Sequence, residues 1–118
     1  MVVLAEDDVD VRDLATIVLE GVGLSVIAVR DGAEALAECR RLKPRLLMID
    51  IGLAVMDGPE VCRAVRVDPE LAELPVVLMT ARAQASSVEA GMDAGADAYI
   101  IKPFGPIELR ELLEEGGW

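Results

Sequence analysis

The sequence predicts a doubly wound α/β domain, a parallel β-sheet with helices on both faces. Three observations carry this. Short β-branched and aliphatic runs alternate with helix-period segments along the whole chain. The runs are apolar at successive positions rather than alternate ones, and Gly, Pro or Asp stands at most of the switches. A strand that is apolar on both faces needs cover on both, as in a parallel sheet whose crossover helices pack above and below it. Right-handed crossovers then wind the chain to both sides.

Val2–Ala5 reads as the first strand and Val9–Glu20 as a helix, with Val11, Leu14, Ala15 and Val18 on one face and Gly21 and Gly23 as its stop. Ser25–Val29 is the second strand. Ala33–Leu42 is a helix capped by Asp31-Gly32 and ended near Pro44. Leu46–Asp50 is an apolar strand finishing on a carboxylate, and Pro59–Val67 a helix stopping before Asp68-Pro69. Val76–Thr80 is the fourth strand, Ser86–Asp93 a helix stopped by Gly95, and Ala98–Lys102 the fifth strand. Pro106–Glu115 closes as a helix, with Pro106 in its first turn and Gly116-Gly117 past its end. No linker or low-complexity segment interrupts the alternation, so residues 1–118 are expected to form one domain.

Hydrophobic residues make up 53% of the chain and aromatic ones only 3%, so the core must be aliphatic. A net charge of −11 argues against nucleic acid or an anionic membrane surface as a direct partner. The chain opens on an apolar strand-like run with no basic leader, and no apolar stretch is long enough to span a bilayer. Cys39 and Cys62 fall inside predicted helices and are expected to be buried free thiols, so a reducing compartment, the cytoplasm, is expected. The absence of His removes Ser-His-Asp triads, His bases and His metal ligands, and two Cys cannot build a structural zinc site. Any chemistry must use carboxylates, hydroxyls, Lys and a metal that prefers oxygen.

In an open parallel sheet, ligands sit beyond the carboxyl ends of the strands. The first strand ends in Glu6-Asp7-Asp8, the third in Asp50, the fourth in Thr80 and the fifth in Lys102, while Arg30-Asp31 after the second is ordinary turn chemistry. If the first and third strands are neighbours, Glu6, Asp7 and Asp50 crowd together and cannot all ionise unless something positive joins them. A hard divalent cation such as Mg²⁺ (or Mn²⁺) answers that need. Lys102 adds an ammonium and Thr80 a hydroxyl, a set suited to phosphoryl transfer, where positioning and charge neutralisation do the work. Taken singly, each has a plainer reading: Asp8 and Asp10 as helix caps, Thr80 as a strand end, Lys102 as a solvated residue before proline. Their arrangement at successive strand ends is what isolated readings do not explain.

The segments "LAEDD", "LLMIDIGLAVMDG", "PVVLMTA" and "GADAYIIKPF" resemble, in order and spacing, the signature blocks of the receiver domains of two-component response regulators. The resemblance implies a flavodoxin-like five-stranded sheet of order 2-1-3-4-5. It also implies a phosphohistidine donor on a sensor histidine kinase or histidine phosphotransfer protein. Asp50 would be the phosphoacceptor, and Asp7, Asp50 and the main-chain carbonyl of Gly52 the metal ligands, with Glu6 acting through water. Thr80 and Lys102 would bind the phosphoryl oxygens, next to the small Ala81. Tyr99 would be the aromatic that reads out the state of Thr80. The face formed by the fourth helix, fifth strand and fifth helix would meet a downstream protein or output domain. Such a chain is a switch with Mg²⁺-assisted self-phosphorylation and self-dephosphorylation, not an enzyme acting on other molecules. Gly52 and Arg82 would tune the lifetime of the phosphorylated state.

The sequence departs from the pattern in places. Ala54 stands where proline is usual, so a less rigid loop is expected, and Gly52 replaces a larger side chain. Ala98, Val88 and Leu112 cannot make the ion pairs by which DNA-binding regulators pair through this face. Two alternatives stay open: a receiver-like interaction module that is not phosphorylated, and a haloacid-dehalogenase-like phosphatase opening on Asp8-Val9-Asp10-Val11. No Asp follows Lys102 to complete the latter.

Overall fold

The computed structural model describes residues 1–81 and 85–118. Strands and helices alternate as β1 (Val2–Ala5), α1 (Val9–Gly21), β2 (Val26–Val29), α2 (Gly32–Leu42), β3 (Leu46–Asp50), α3 (Gly58–Val67), β4 (Val76–Thr80), α4 (Ala85–Asp93), β5 (Ala98–Ile101) and α5 (Pro106–Gly116). Every expected element is present, and no end differs from expectation by more than one residue. Gly21 does not stop α1 but closes it as its last helical residue. The reversal follows at Gly23, whose φ of 93° lies in the left-handed region, with its N–H bonded back to the Glu20 carbonyl.

The strands form one parallel sheet of order β2-β1-β3-β4-β5. Alternate residues of each strand feed opposite cores. Val3, Ala5, Leu47, Ile49, Val76 and Leu78 pack with Ala35, Leu36 and Cys39 of α2 and Val61, Cys62 and Val65 of α3. On the other face, Val2, Leu4, Leu46, Met48, Val77 and Met79 pack with Ala15, Val18 and Leu19 of α1 and Leu109 and Leu113 of α5. β1, β3 and β4 are buried along their whole length, as strands apolar on both faces should be. The edge strands depart from that pattern: β2 exposes Ala28, and β5 exposes Tyr99 and Ile101, because each has a neighbour on one side only.

The helix starts follow capping chemistry. Asp8 Oδ1 accepts from the N–H groups of Asp10 and Val11, and Asp31 Oδ1 accepts from that of Glu34. Asp57 and Glu60 form a reciprocal capping box at α3. Cys39 and Cys62 are buried free thiols, and burial pushes the Cys39 thiol up to about 12. Among the described residues no helix is long and apolar enough to cross a membrane.

Arg66 ties the amino-terminal end of the sheet together. Its Nε donates to the Gly95 carbonyl at 2.9 Å and its Nη1 to the carbonyls of Ala72 and Leu74 at 3.2 and 2.6 Å. Its Nη2 meets Asp97 Oδ2 at 2.9 Å, and that same oxygen accepts from the Val76 N–H at 2.8 Å. One guanidinium thus joins α3, the turn before β4 and the loop before β5. Arg66→Ala leaves several of these acceptors without a protein donor and should lower stability by about 2–3 kcal/mol, read from urea unfolding. A loss below about 0.5 kcal/mol, the size of an exposed ion pair, would show that the clamp contributes little.

Candidate functional site

The strand register builds the site. Ala5 of β1 pairs with Ile49 of β3, which sets Glu6 beside Asp50 as the two strands end. Asp50 is level with Met79 of β4, and Thr80 with Ile101 of β5. The Ile51 N–H donates to the Met79 carbonyl at 2.9 Å and the Lys102 N–H to the Thr80 carbonyl at 2.6 Å, so the ladder carries the chain ends past the last strand residues. Carboxylate oxygens of Glu6, Asp7 and Asp50 lie within 4.8 Å of one another. Glu6 is fully buried and Asp50 nearly so, Thr80 is buried at 2% exposure, and Asp7 faces solvent.

Lys102 closes this cluster. Its Nζ donates to Glu6 Oε1 at 2.7 Å and lies 2.9 Å from Asp50 Oδ1. Burial alone would lower the pKa of the ammonium, but its hydrogen bonds to Glu6 and Asp50 and their charges outweigh burial and raise it. The Glu6 carboxyl is pushed up by burial first, against the hydrogen bond from Lys102, and further by the charges of Asp50 and Asp7. Glu6 Oε2 is buried with no hydrogen-bond partner among the described residues. One ammonium does not neutralise the Glu6, Asp7 and Asp50 carboxylates, and an orphaned carboxylate oxygen remains. An all-oxygen donor set with surplus negative charge fits a hard divalent cation, so Glu6, Asp7 and Asp50 could hold a metal ion.

Sequence reasoning missed Arg12. From the first turns of α1 its Nη1 donates to the Glu6 carbonyl at 3.1 Å, bracing the backbone that carries the buried carboxylate. The Asp57–Glu60 capping box was also missed, although its spacing of acceptor and glutamate three residues apart was visible in the sequence. It anchors the far end of the loop that follows Asp50.

That loop is tightly seated. A Cβ on Gly58 would stand 3.0 Å from Ile51 Cα, 3.1 Å from the Asp50 carbonyl oxygen and 3.2 Å from Leu78 Cδ2, so only glycine lets α3 start this close to β3. The Ala54 carbonyl, where a looser loop was expected, accepts from the N–H groups of Met56 at 2.8 Å and Gly32 at 3.4 Å. The bond from Met56 to Ala54 encloses Val55, whose φ of 69° is unusual for a β-branched residue and matches a strained γ-turn. Gly52 is different: among the described residues a Cβ there would find only Asp50 Oδ2, at 3.9 Å, so no described residue covers this flank of Asp50. Tyr99 is 42% exposed on β5 and level with Leu78, two positions before Thr80 in β4. Arg82 lies outside the described residues.

A doubly wound sheet of this order, with an acidic pocket and a lysine at its carboxyl end, is the architecture of a signalling receiver. A family profile, the response regulator receiver domain, matches residues 2–114, and the chain belongs to that family. The chain is 39% identical over 108 residues to the DNA-binding response regulator MtrA of Mycobacterium tuberculosis, covering 92% of this chain and 46% of that one. It therefore spans about half the length of such curated relatives. Among solved structures, the chemotaxis response regulator CheY4 of Vibrio cholerae is 27% identical with a TM-score of 0.90, covering 97% of this chain and 95% of that chain. The receiver domain of sensor histidine kinase PA1611 from Pseudomonas aeruginosa, which has a magnesium ion coordinated in its active-site cleft, is 28% identical with a TM-score of 0.89. That match covers 97% of this chain and 93% of that one.

Two outcomes follow from this geometry. Val55→Gly should raise stability by about 1 kcal/mol, the relief of a left-handed β-branched residue less the extra freedom of glycine in the unfolded chain. Chemical denaturation would show it, and a loss of stability would mean that the turn is unstrained. Lys102→Met leaves Glu6 buried without its cation and should lower metal-free stability by about 3–5 kcal/mol near neutral pH. Without the ammonium the folded-state pKa of Glu6 lies still further above its unfolded value of 4.5. The folded state then binds the extra proton, so stability should recover as pH falls toward 4.5, the reverse of ordinary acid denaturation. A variant that only weakens further on acidification would contradict this.

Proposed function

We propose that residues 1–118 form one receiver domain in which Asp50 takes a phosphoryl group from a phosphohistidine on a sensor histidine kinase or histidine phosphotransfer protein. A carboxylate oxygen of Asp50 attacks phosphorus. The new O–P bond forms as the P–N bond of the donor breaks, and the departing imidazole nitrogen keeps the electron pair. Lys102, at 2.9 Å from Asp50, is placed to balance charge on the incoming phosphoryl oxygens, and the Thr80 hydroxyl donates to one of them. Asp7, Asp50 and the main-chain carbonyl of Gly52, with Glu6 through a water, would hold Mg²⁺ or Mn²⁺, which supplies further neutralisation of that charge when bound. Tyr99 follows the state of Thr80 and alters the face of α4, β5 and α5, where a downstream protein or output domain docks. The domain itself touches neither nucleic acid nor membrane and works in the cytoplasm as a switch rather than as an enzyme acting on other substrates.

The observation that carries this reading is Lys102 bridging Glu6 and Asp50, an acceptor carboxylate already paired with the cation that its phosphorylated form requires. The phosphatase alternative would make Asp8 the nucleophile. Instead, Asp8 Oδ1 caps α1, and Asp8 stands outside the carboxylate cluster.

Acetyl phosphate with Mg²⁺ should add one hydroxylamine-labile phosphoryl group to the protein and none at that position to Asp50→Asn, read by intact-protein mass. Equal labelling of the variant would remove Asp50 from the role. Mg²⁺ should also stabilise the unphosphorylated protein, by about 2.7 kcal/mol at a hundredfold excess over Kd, and identical melting with Mg²⁺ and with chelator would speak against the pocket. Because no described residue covers the Gly52 flank, water would reach the phosphoryl group there. Gly52→Met should slow loss of phosphate several-fold, roughly 1 kcal/mol in the barrier. Decay as fast as wild type would place the control of lifetime elsewhere, with Arg82→Ala the next variant to time.

A further inference from the structure

The edge of the sheet at β5 carries a groove that the phosphorylation chemistry does not use. Its volume is about 330 Å³, and it lies between β5 and one stripe of α5. Tyr99 and Ile101, 42% and 41% exposed, form its strand side, and Leu112 stands opposite. Glu108, Glu111 and Glu115 complete the α5 side, at the spacing that puts residues on one helical face, and among the described residues no lysine or arginine lines the groove. Past Leu112 and Glu115 the depression continues toward Trp118. β5 is the last strand of the sheet, so among the described residues the backbone groups along its outer edge have no strand partner.

We propose that this groove is the docking site for a partner segment that presents apolar side chains between lysines or arginines. The proposal rests on the receiver reading and specifies the chemistry of its downstream partner. Tyr99, Ile101 and Leu112 offer an apolar surface that gains by leaving water. Among the described residues Glu111 and Glu115 form no ion pair, while Glu108 is engaged only in capping α5 through the Gly105 N–H. An apolar floor with a single-sign rim selects a partner of opposite charge by attraction and rejects an acidic one by repulsion. A second copy of this chain is disfavoured for the same reason, since a two-fold pairing of these faces sets one glutamate row against the other.

The test uses the whole chain and two fluorescein-labelled synthetic amphipathic peptides of equal length and leucine content, one lysine-rich and one glutamate-rich. Fluorescence anisotropy is followed with and without acetyl phosphate and Mg²⁺. The lysine-rich peptide should bind in at least one state, more weakly as salt rises, and the glutamate-rich peptide should not. Glu111→Lys with Glu115→Lys should weaken binding by about tenfold or more, whereas Glu20→Lys with Glu73→Lys, an equal change in net charge elsewhere, should change it by less than about twofold. Ile101→Ser should weaken binding at unchanged net charge. Equal losses in both charge reversals would reduce the effect to general attraction toward an acidic protein and overturn the proposal, as would equal binding of both peptides. A dimer in sedimentation that is abolished by Ile101→Ser would assign the groove to self-association instead. These variants leave the Asp50 pocket intact, so Asp50 labelling is read separately. Labelling without groove-dependent binding overturns only the groove, whereas absence of labelling in the wild type overturns the receiver reading itself.

Discussion

The contact on which the rest of the structure depends is the Lys102 ammonium between Glu6 and Asp50. Parallel strands that end level with one another bring their terminal side chains into one small volume. Here those side chains are carboxylates, and two of them are buried. Such a cluster persists only where something cationic reaches it, and the residue that does so lies 96 positions along the chain from Glu6. The first and last strands are thereby tied through their chemistry as well as through the sheet. The mutual repulsion that the ammonium leaves unbalanced favours a further positive charge in the pocket.

The two-sided core makes this charge cluster tolerable. β1, β3 and β4 hold their aliphatic side chains out of water on both faces, which gives the carboxyl ends fixed positions that loops alone would not. The loop after Asp50 is seated by Gly58 against β3 and β4 and anchored by the Asp57–Glu60 box, with its irregular geometry confined to Val55. Rigid supports at both ends leave Gly52, beside the Asp50 carboxylate, as the approach that no described residue covers.

Much of this was legible in the sequence, for identifiable reasons. The alternation of apolar runs with helix-period segments gives the order of elements. Residues such as Asp8, Asp31, Pro106 and Gly95 mark their ends because capping and turn chemistry are local. Glu6, Asp50, Thr80 and Lys102 could be gathered by topology alone, since each ends a strand. Tertiary detail was less accessible. Arg12 reaches a main-chain carbonyl six residues back, and Arg66 joins three segments through carbonyls, contacts that leave no compositional trace. Val55 carries none of the usual marks of a positive φ, which glycine or asparagine would have signalled. The exposure of Tyr99 and Ile101 follows from the position of β5 at the sheet edge, which the apolar run Ala98–Ile101 does not itself disclose.

The Arg66 clamp has a mechanical side. It grips the Gly95 carbonyl just past the end of α4, the Cys62 thiol donates to the Ala94 carbonyl beside it, and the Asp97 N–H is bonded to Val76. The carboxyl end of α4 is thus a fixed pivot, and the helix is a lever about 13 Å long at 1.5 Å per residue. Rotation of such a lever by about 10° moves its pivot end hardly at all and its amino-terminal end by about 2 Å. The other end is the one that follows Thr80 in the chain. A helix held in this way confines displacement to the end that follows Thr80, while the clamped end and the amino-terminal end of the sheet stay in place.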